Sequence, residues 1–429
     1  MDDMQHNIIV YEDHSYENFM PLVYLRSVFE LRIGMLSFLE RIHLFFSKSK
    51  YHLVTRDYLK PVLSQRYPKY FVNSPNIGLK ALIINGRTVM NKKLADLIKS
   101  IKDRNFLIVS GNKVLAIGLR DELLSKFLAV AKQVQFKDEE IINFLKEQDD
   151  IKIVNLKDCL VIDNIWTIIK HNADILMTDF KLLKRGGLFL TNLNTQVALS
   201  REESIFVGKR SKIDPFVHLD ARKGPIYIGE DVVIKSNTVI EGPVMVDDRA
   251  TIYSGYINNG TTIGEGCKVG GEIEASIFLE NSNKHHAGFI GHSYVGQWVN
   301  IGALTTTSDL KNNYSDVKLT KAKGDVFSTG LTFMGSIIGD HVKFGIGTML
   351  NTGTIVGVGS NVVGAKGVEQ KWIPSFSWSN GSVVEEYQFD KFIQTVESVY
   401  GRRKKNLLLP EKNLLEYIYK LSTRTEAAY

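Results

Sequence analysis

Along the first 180 or so residues, short apolar runs alternate with stretches in which apolar residues recur every three or four positions. "NIIVYE" (7–12), "YHLVT" (51–55), "ALIING" (81–86) and "FLIVS" (106–110) read as short buried strands. "VFELRIGMLSFLERIHLFF" (28–46) and "DELLSKFLAVAKQV" (121–134) read as amphipathic helices. Strands alternating with helices predict a mostly parallel α/β sheet. A further helix, "DNIWTIIKHNADILMTDFKLL" (163–183), reads as closing this first domain, placed at 1–190.

From about residue 205 the period changes. Aliphatic residues recur every six positions at Ile228, Ile234, Ile240, Val246 and Ile252, and again at Ile338, Phe344, Leu350, Val356 and Val362. Ile263, Val269, Val295 and Ile301 fall between the two runs. A six-residue repeat predicts a parallel β-helix over 205–370, three repeats to a triangular coil, with the repeated aliphatic pointing inward. Glycine and asparagine between them suit tight corners. The period breaks at 275–290 and at 303–333, which read as loops leaving one corner; loops on a rigid scaffold commonly carry function. Two amphipathic helices over 385–425 end the chain. Their apolar faces (Phe389, Phe392, Ile393, Val396 and Tyr400; Leu414, Leu415, Ile418 and Leu421) read as a cap on the coil, with partner binding as the other reading.

Composition narrows the class. The 429 residues are 44% hydrophobic and 23% charged, as in ordinary globular domains. A formal charge of +6 suits an anionic small molecule, such as a sugar phosphate or nucleotide, and is too small for a nucleic-acid binder. Arg402-Arg403-Lys404-Lys405 reads as a solvated helix end. Two cysteines, Cys159 and Cys267, allow no disulfide framework or zinc spacing. With no leader-like N-terminal segment and no apolar run near 18 residues, a cytoplasmic protein that does not enter a membrane is expected.

The hexapeptide repeat resembles acyltransferases with left-handed β-helices. An α/β domain followed by such a helix resembles the bifunctional N-acetylglucosamine-1-phosphate uridyltransferase/glucosamine-1-phosphate acetyltransferase (GlmU) family. "KHHAGFIGHSYVGQWVNIGALTTTSDLKNNY" (284–314) is similar to that family's acetyltransferase site. "PLVYLRSVFELRIGML" (21–36), "INGR" (84–87) and "KWIPSFSW" (371–378) resemble divergent GlmU-like sugar nucleotidyltransferases of the Bacteroidetes type. The fold this implies is α/β plus all-β: a Rossmann-like nucleotidyltransferase-type domain, a left-handed parallel β-helix and C-terminal helices.

The resemblance aligns His286 with the family's general base, a role suited to an imidazole, which titrates near neutral pH. A loop histidine beside His285 and Lys284, or a two-histidine metal pair, is the competing reading. It puts Asn300, Ala303 and Gly364 on coenzyme A or acetyl contacts, and Phe289 beside the sugar phosphate. Backbone N–H groups at coil corners could bind the thioester oxygen. The family's phosphate-holding lysine is replaced by Glu274, which would repel a phosphate unless Lys284 supplies the charge.

In the first domain the family's Gly-rich phosphate loop is missing. Arg26 and Arg32 are the candidates for holding phosphates, or else surface salt-bridge arginines. Arg87 stands where the family has its magnesium aspartate, and arginine cannot ligate Mg²⁺; Asp179 is the candidate substitute. The resemblance thus implies acetyl-CoA as cosubstrate, Mg²⁺ for nucleotidyl transfer, sugar phosphate and nucleotide substrates of the UDP-N-acetylglucosamine type, and a homotrimer. Two alternatives stand beside it: nucleotidyl transfer alone with a structural β-helix, and a non-catalytic nucleotide-sugar-binding scaffold.

Overall fold

The computed structural model describes residues 7–74, 77–133, 135–183, 196–321, 324–364 and 367–425. They form two compact units. The first holds the chain up to Leu31 and Leu36–Asn164; the second holds Arg32–Met35 and everything from Ile165. The helix Ile165–Leu182, expected to close the first domain, thus packs within the second unit. The expected boundary at 190–205 falls partly on 184–195, outside the described residues.

The first unit is built on seven strands: β1 (Asn7–Tyr11), β2 (Lys50–Val54), β3 (Phe71–Val72), β4 (Lys80–Asn85), β5 (Phe106–Ser110), β6 (Lys113–Arg120) and β7 (Lys152–Asn155). Their order is β3-β2-β1-β4-β6-β5-β7, with the first four parallel and β6 antiparallel to both neighbours. All four expected strands are present. The order reverses between β1 and β4, so the carboxyl ends of these two strands frame the crevice where open α/β sheets bind ligands.

The long helix expected over 28–46 is not one helix. Val28–Glu30 is a single 3₁₀ turn, and the α-helix begins only at Phe38. Ser37 stops it from extending backward: its Oγ accepts from the Glu40 N–H at 3.1 Å, and Glu40 Oε2 accepts from the Ser37 N–H at 2.7 Å. Between them Gly34 turns with φ +69°, where a Cβ would lie 2.5 Å from both Ile175 and Asp179. The apolar period is real, but a left-handed turn and a second N-cap inside it override it.

In the second unit three parallel faces stack rung on rung. One face is a nine-stranded sheet whose inward positions run in register Ile228, Val246, Ile263, Phe278, Val295, Ile338, Val356, Ile373. The second runs Ile213, Ile234, Ile252, Val269, Lys284, and the third Leu219, Ile240, Ile257, Ile273, Ile290. These aliphatic side chains form one continuous buried core. The repeat therefore builds the parallel β-helix expected of it.

Two details differ from the expectation. Residues 275–290 are a regular rung, not a loop: Phe278, Lys284 and Ile290 keep the six-residue step. A lysine at an inward position conceals the period there. The second interruption is a real insertion, but it begins only after the coil strand Thr306–Thr307 and carries the antiparallel pair Lys318–Thr320 and Val326–Ser328.

The helix Phe389–Arg402 lies along one corner of the coil rather than over its end. That corner turns through left-handed residues at Gly266, Asn281, Trp298, His341, Gly359 and Phe376, one per rung. Phe392 meets Gly359 and Phe376, Tyr400 stacks on Trp298 at 4.2 Å, and Arg403 donates to the Gly266 carbonyl and to Asn283 Oδ1, both at 2.8 Å. Small or flat side chains at these corners make the groove that admits the helix.

Candidate functional site

His286 sits at the corner between the second and third faces. Successive rungs stack there through backbone bonds: Leu304 N–H to the Ala287 carbonyl at 2.8 Å, and Gly347 N–H to the Ala303 carbonyl at 2.8 Å. Met349 N–H reaches the Gly364 carbonyl at 3.4 Å. The coil thus brings His286, Ala303 and Gly364 into one column. Asn300 is exposed on the adjoining face, in register with Asn283. Phe289 begins the third face, with its N–H donating to Thr306 Oγ1 at 3.3 Å.

The His286 imidazole is exposed and stacks on His285 with ring centroids 4.4 Å apart; His285 in turn lies 3.5 Å from the Tyr253 ring. No group among the described residues hydrogen-bonds the His286 ring. Partial burial, then repulsion from His286 and Lys268, holds the His285 pKa below its ordinary value. His285 is therefore favoured in its neutral form.

Lys284 does not present a charge to a substrate. It is 1% exposed, inside the inward column, and its Nζ donates to the carbonyls of Gly270 at 2.8 Å and His286 at 2.6 Å. Burial without a carboxylate lowers its pKa to about 8. Gly271 makes the room: a Cβ there would lie 2.7 Å from Nζ. Lys284 instead ties down the backbone that carries His286. Glu274 is also remote from that corner in sequence register. It pairs with Gly291 at the far end of the third face and accepts from Asn259 Nδ2 at 2.9 Å.

A second histidine was missed. His292 Nδ1 and Asp309 Oδ2 are 2.8 Å apart, and the imidazole stacks on Phe333 at 5.1 Å. The signal was their spacing of 17 residues, one rung of this coil.

In the first unit, the crevice at the carboxyl ends of β1 and β4 is filled by an ion network. Arg87 is fully buried and its Nε donates to Asp13 Oδ1 at 3.0 Å and Oδ2 at 3.1 Å. Its Nη1 donates to Asp163 at 2.8 Å and its Nη2 lies 3.5 Å from Asp138. Burial opposes the guanidinium charge, but Asp13, Asp138 and Asp163 outweigh it and hold Arg87 charged. Burial, then repulsion from Asp13, raises Asp138 to about 6. Beside the crevice, Arg56 ties down the loop that replaces a Gly-rich loop: it pairs with Glu12 at 2.9 Å and donates to the Val23 and Arg26 carbonyls, both at 2.7 Å.

Residues 8–187 match the sugar nucleotidyl transferase family. A bifunctional sugar-1-phosphate nucleotidylyltransferase/acetyltransferase from Sulfurisphaera tokodaii is 34% identical over 138 residues, 32% of this chain and 34% of that protein. A bifunctional protein GlmU from Methanocaldococcus jannaschii is 27% identical over 329 residues, 68% of this chain and 78% of that one. Another, from Carboxydothermus hydrogenoformans, is 35% identical over 132 residues, 27% and 30% of the two chains. Over these spans the chain is similar to the bifunctional GlmU proteins. The matched family and the first of these relatives are named as transferases, the class expected from the sequence. The aligned part spans about a third of the first and third of these relatives and most of the second.

The residues of the expected first domain that were candidates for binding ligands, Arg26, Arg32 and Asp179, are used structurally. Arg26 is buried and donates to the Leu22 carbonyl at 2.6 Å. Arg32 belongs to the second unit, where it donates to the Met35 carbonyl and pairs with Asp247 at 3.4 Å. Asp179 is fully buried and accepts from the Met35 N–H at 2.9 Å. Mg²⁺ does not fit these residues. Asp179 lies in no group of three acidic, histidine or cysteine side chains suited to a metal among the described residues, and the carboxylates of the crevice already share a guanidinium. No helix among the described residues is long and apolar enough to cross a membrane.

Proposed function

We propose that the β-helix unit transfers an acetyl group from acetyl-CoA to the amine of an amino sugar at the His286 corner. The observation that carries this is an exposed imidazole, unbonded among the described residues, on a corner column shared with Ala303 and Gly364. The amine lone pair attacks the thioester carbonyl, the C–N bond forms and the C–S bond breaks. His286 takes the proton leaving nitrogen and returns it to the departing thiolate. Lys284 holds the His286 carbonyl, so the base is fixed through its backbone. The proposal includes a cytoplasmic homotrimer with the coenzyme A site shared between neighbouring coils. Thiol release from acetyl-CoA across a panel of amino sugars and their phosphates tests it. Release that disappears in His286→Ala supports it, and release equal in wild type and variant for every acceptor refutes it.

A second reading, sugar-1-phosphate nucleotidyl transfer of the UDP-N-acetylglucosamine type, draws on the family match over 8–187. The Arg87 network argues against a metal-assisted form of it. Pyrophosphate release from UTP or dTTP with sugar 1-phosphates, measured with and without Mg²⁺, decides: Mg²⁺-dependent release would restore the metal-assisted reading. Silence leaves a nucleotide-sugar-binding scaffold for this unit.

A further inference from the structure

At the other end of the first unit's central strands, away from the carboxyl ends of β1 and β4, lies a cavity of 460 Å³. It is bounded by the start of β1 and β4, the start of β5 and the end of β6. That volume lies within the usual range for small-molecule sites. Its floor is apolar. Gly118 allows the Phe106 ring to lie over the strand, since a Cβ there would come within 2.2 Å of the ring. Phe46, Leu82 and Ile98 complete the floor.

The rim is strongly basic. Lys48, Lys80, Lys99, Lys102, Arg104 and Arg120 line it against a single Asp103. Six cations against one carboxylate leave a surplus of five, while the whole chain carries only +6. Among the described residues none of Lys80, Lys99, Lys102, Arg104 and Arg120 has a carboxylate partner. Arg120 donates only to the Lys102 carbonyl at 2.9 Å, and Lys99 lies over the Phe46 ring at 5.6 Å.

Basic residues often gather at helix C-termini, and the helices Phe38–Phe45 and Lys92–Ile101 both end here. Each helix end offers about half a negative charge, so two account for about one of the five. An excess of about four positive charges is left around one apolar-floored cavity.

We propose that this cavity is a binding site for a nucleoside triphosphate, separate from both the His286 corner and the Arg87 crevice. The triphosphate, with about four negative charges near neutral pH, meets the lysine and arginine rim. The nucleoside rests on the Phe46–Phe106 floor. A free polyphosphate would use the rim and gain nothing from the floor.

Isothermal titration of the full chain with UTP, ATP and inorganic tripolyphosphate, at low and high salt and without Mg²⁺, tests this. The variant Lys99→Gln/Lys102→Gln/Arg104→Gln alters only exposed side chains, and an unchanged melting temperature confirms its fold. At least one nucleotide should bind the wild type more tightly than tripolyphosphate, weaken with salt, and bind the triple variant at least tenfold more weakly. His286→Ala should bind it as the wild type does, so loss of acetyl transfer and loss of this site are read apart. Overturning results are binding of neither nucleotide, equal affinity for tripolyphosphate, or nucleotide affinity unchanged in the triple variant.

Discussion

Two buried cations occupy the places where the two units were expected to do chemistry, and their surroundings differ. Arg87 is held by three carboxylates in the crevice of the first unit. Lys284 is held by two carbonyls in the inward column of the coil. A guanidinium gives up its proton only at extreme pH and matches a carboxylate edge to edge, so it closes the crevice as a fixed charge. An amine titrates readily when buried, so Lys284 is balanced near its own deprotonation, at about 8. The first site has become structure; the second leaves an exposed imidazole on the very residue whose carbonyl Lys284 anchors.

The largest test of this contrast is Arg87→Met. It leaves Asp13 and Asp138 buried without their counter-charge, which should cost about 3–5 kcal/mol in denaturant unfolding. Arg87→Lys should restore only part, because the two-point pairing with Asp13 is lost. If Arg87→Met unfolds within about 0.5 kcal/mol of wild type, the network is not what closes the crevice.

Lys284→Met sharpens the comparison through pH. The folded pKa of Lys284 is about 8, below the ordinary 10.5, so the unfolded chain binds the proton more readily. The wild type therefore carries a penalty that is full below about 8 and fades as pH rises toward 10.5. Relative to Lys284→Met, the wild type should gain roughly 2 kcal/mol in stability between pH 8 and 10. Lys343, lowered by burial to about 7, adds a penalty of the same sign, and it is common to both proteins compared. A flat difference across that range would mean that Lys284 keeps its ordinary pKa in the folded chain and bears no such penalty.

Arg403→Ala loosens the helix along the coil corner. It removes two hydrogen bonds, to the Gly266 carbonyl and Asn283 Oδ1, and should cost about 1 kcal/mol. Increased amide exchange of 389–402 should accompany it. If the helix exchanges as in the wild type, its apolar packing, Phe392 on Gly359 and Phe376 and Tyr400 on Trp298, holds it without Arg403.

How much of this was legible depended on which physical rule ruled locally. The coil was legible because its core repeats: Ile338, Phe344, Leu350, Val356 and Val362 all point inward at a six-residue step, the signature of a parallel β-helix. It stopped being legible where one inward position was polar. Lys284 broke the apolar period and turned a regular rung into an apparent loop, although its neighbours Phe278 and Ile290 kept the step. The helix over 28–46 failed because Gly34 and Ser37 act through backbone conformation, which an apolar period does not register. Arg87 was recognised as unable to hold a metal, but not as a residue with three partners. Asp138 and Asp163 lie 51 and 76 positions away, and only the sheet brings them together. His286, Ala303 and Gly364 were recognised by resemblance, and it is rung stacking that aligns them.

The smallest expected effect on stability is at the residue given the largest role. His286 is exposed and no described group hydrogen-bonds its ring, so His286→Ala should change unfolding by less than about 0.5 kcal/mol. If it is the base, the same substitution should lower acetyl transfer about 10²–10⁴-fold and remove the acidic limb of the pH–rate profile. Lys284→Met should act in the opposite way, shifting stability with pH while lowering transfer only partly, since it frees a carbonyl and not the imidazole. A His286→Ala protein that loses stability but retains transfer would move the chemistry elsewhere on the coil. The next candidate is then His292, whose imidazole already has Asp309 to orient it.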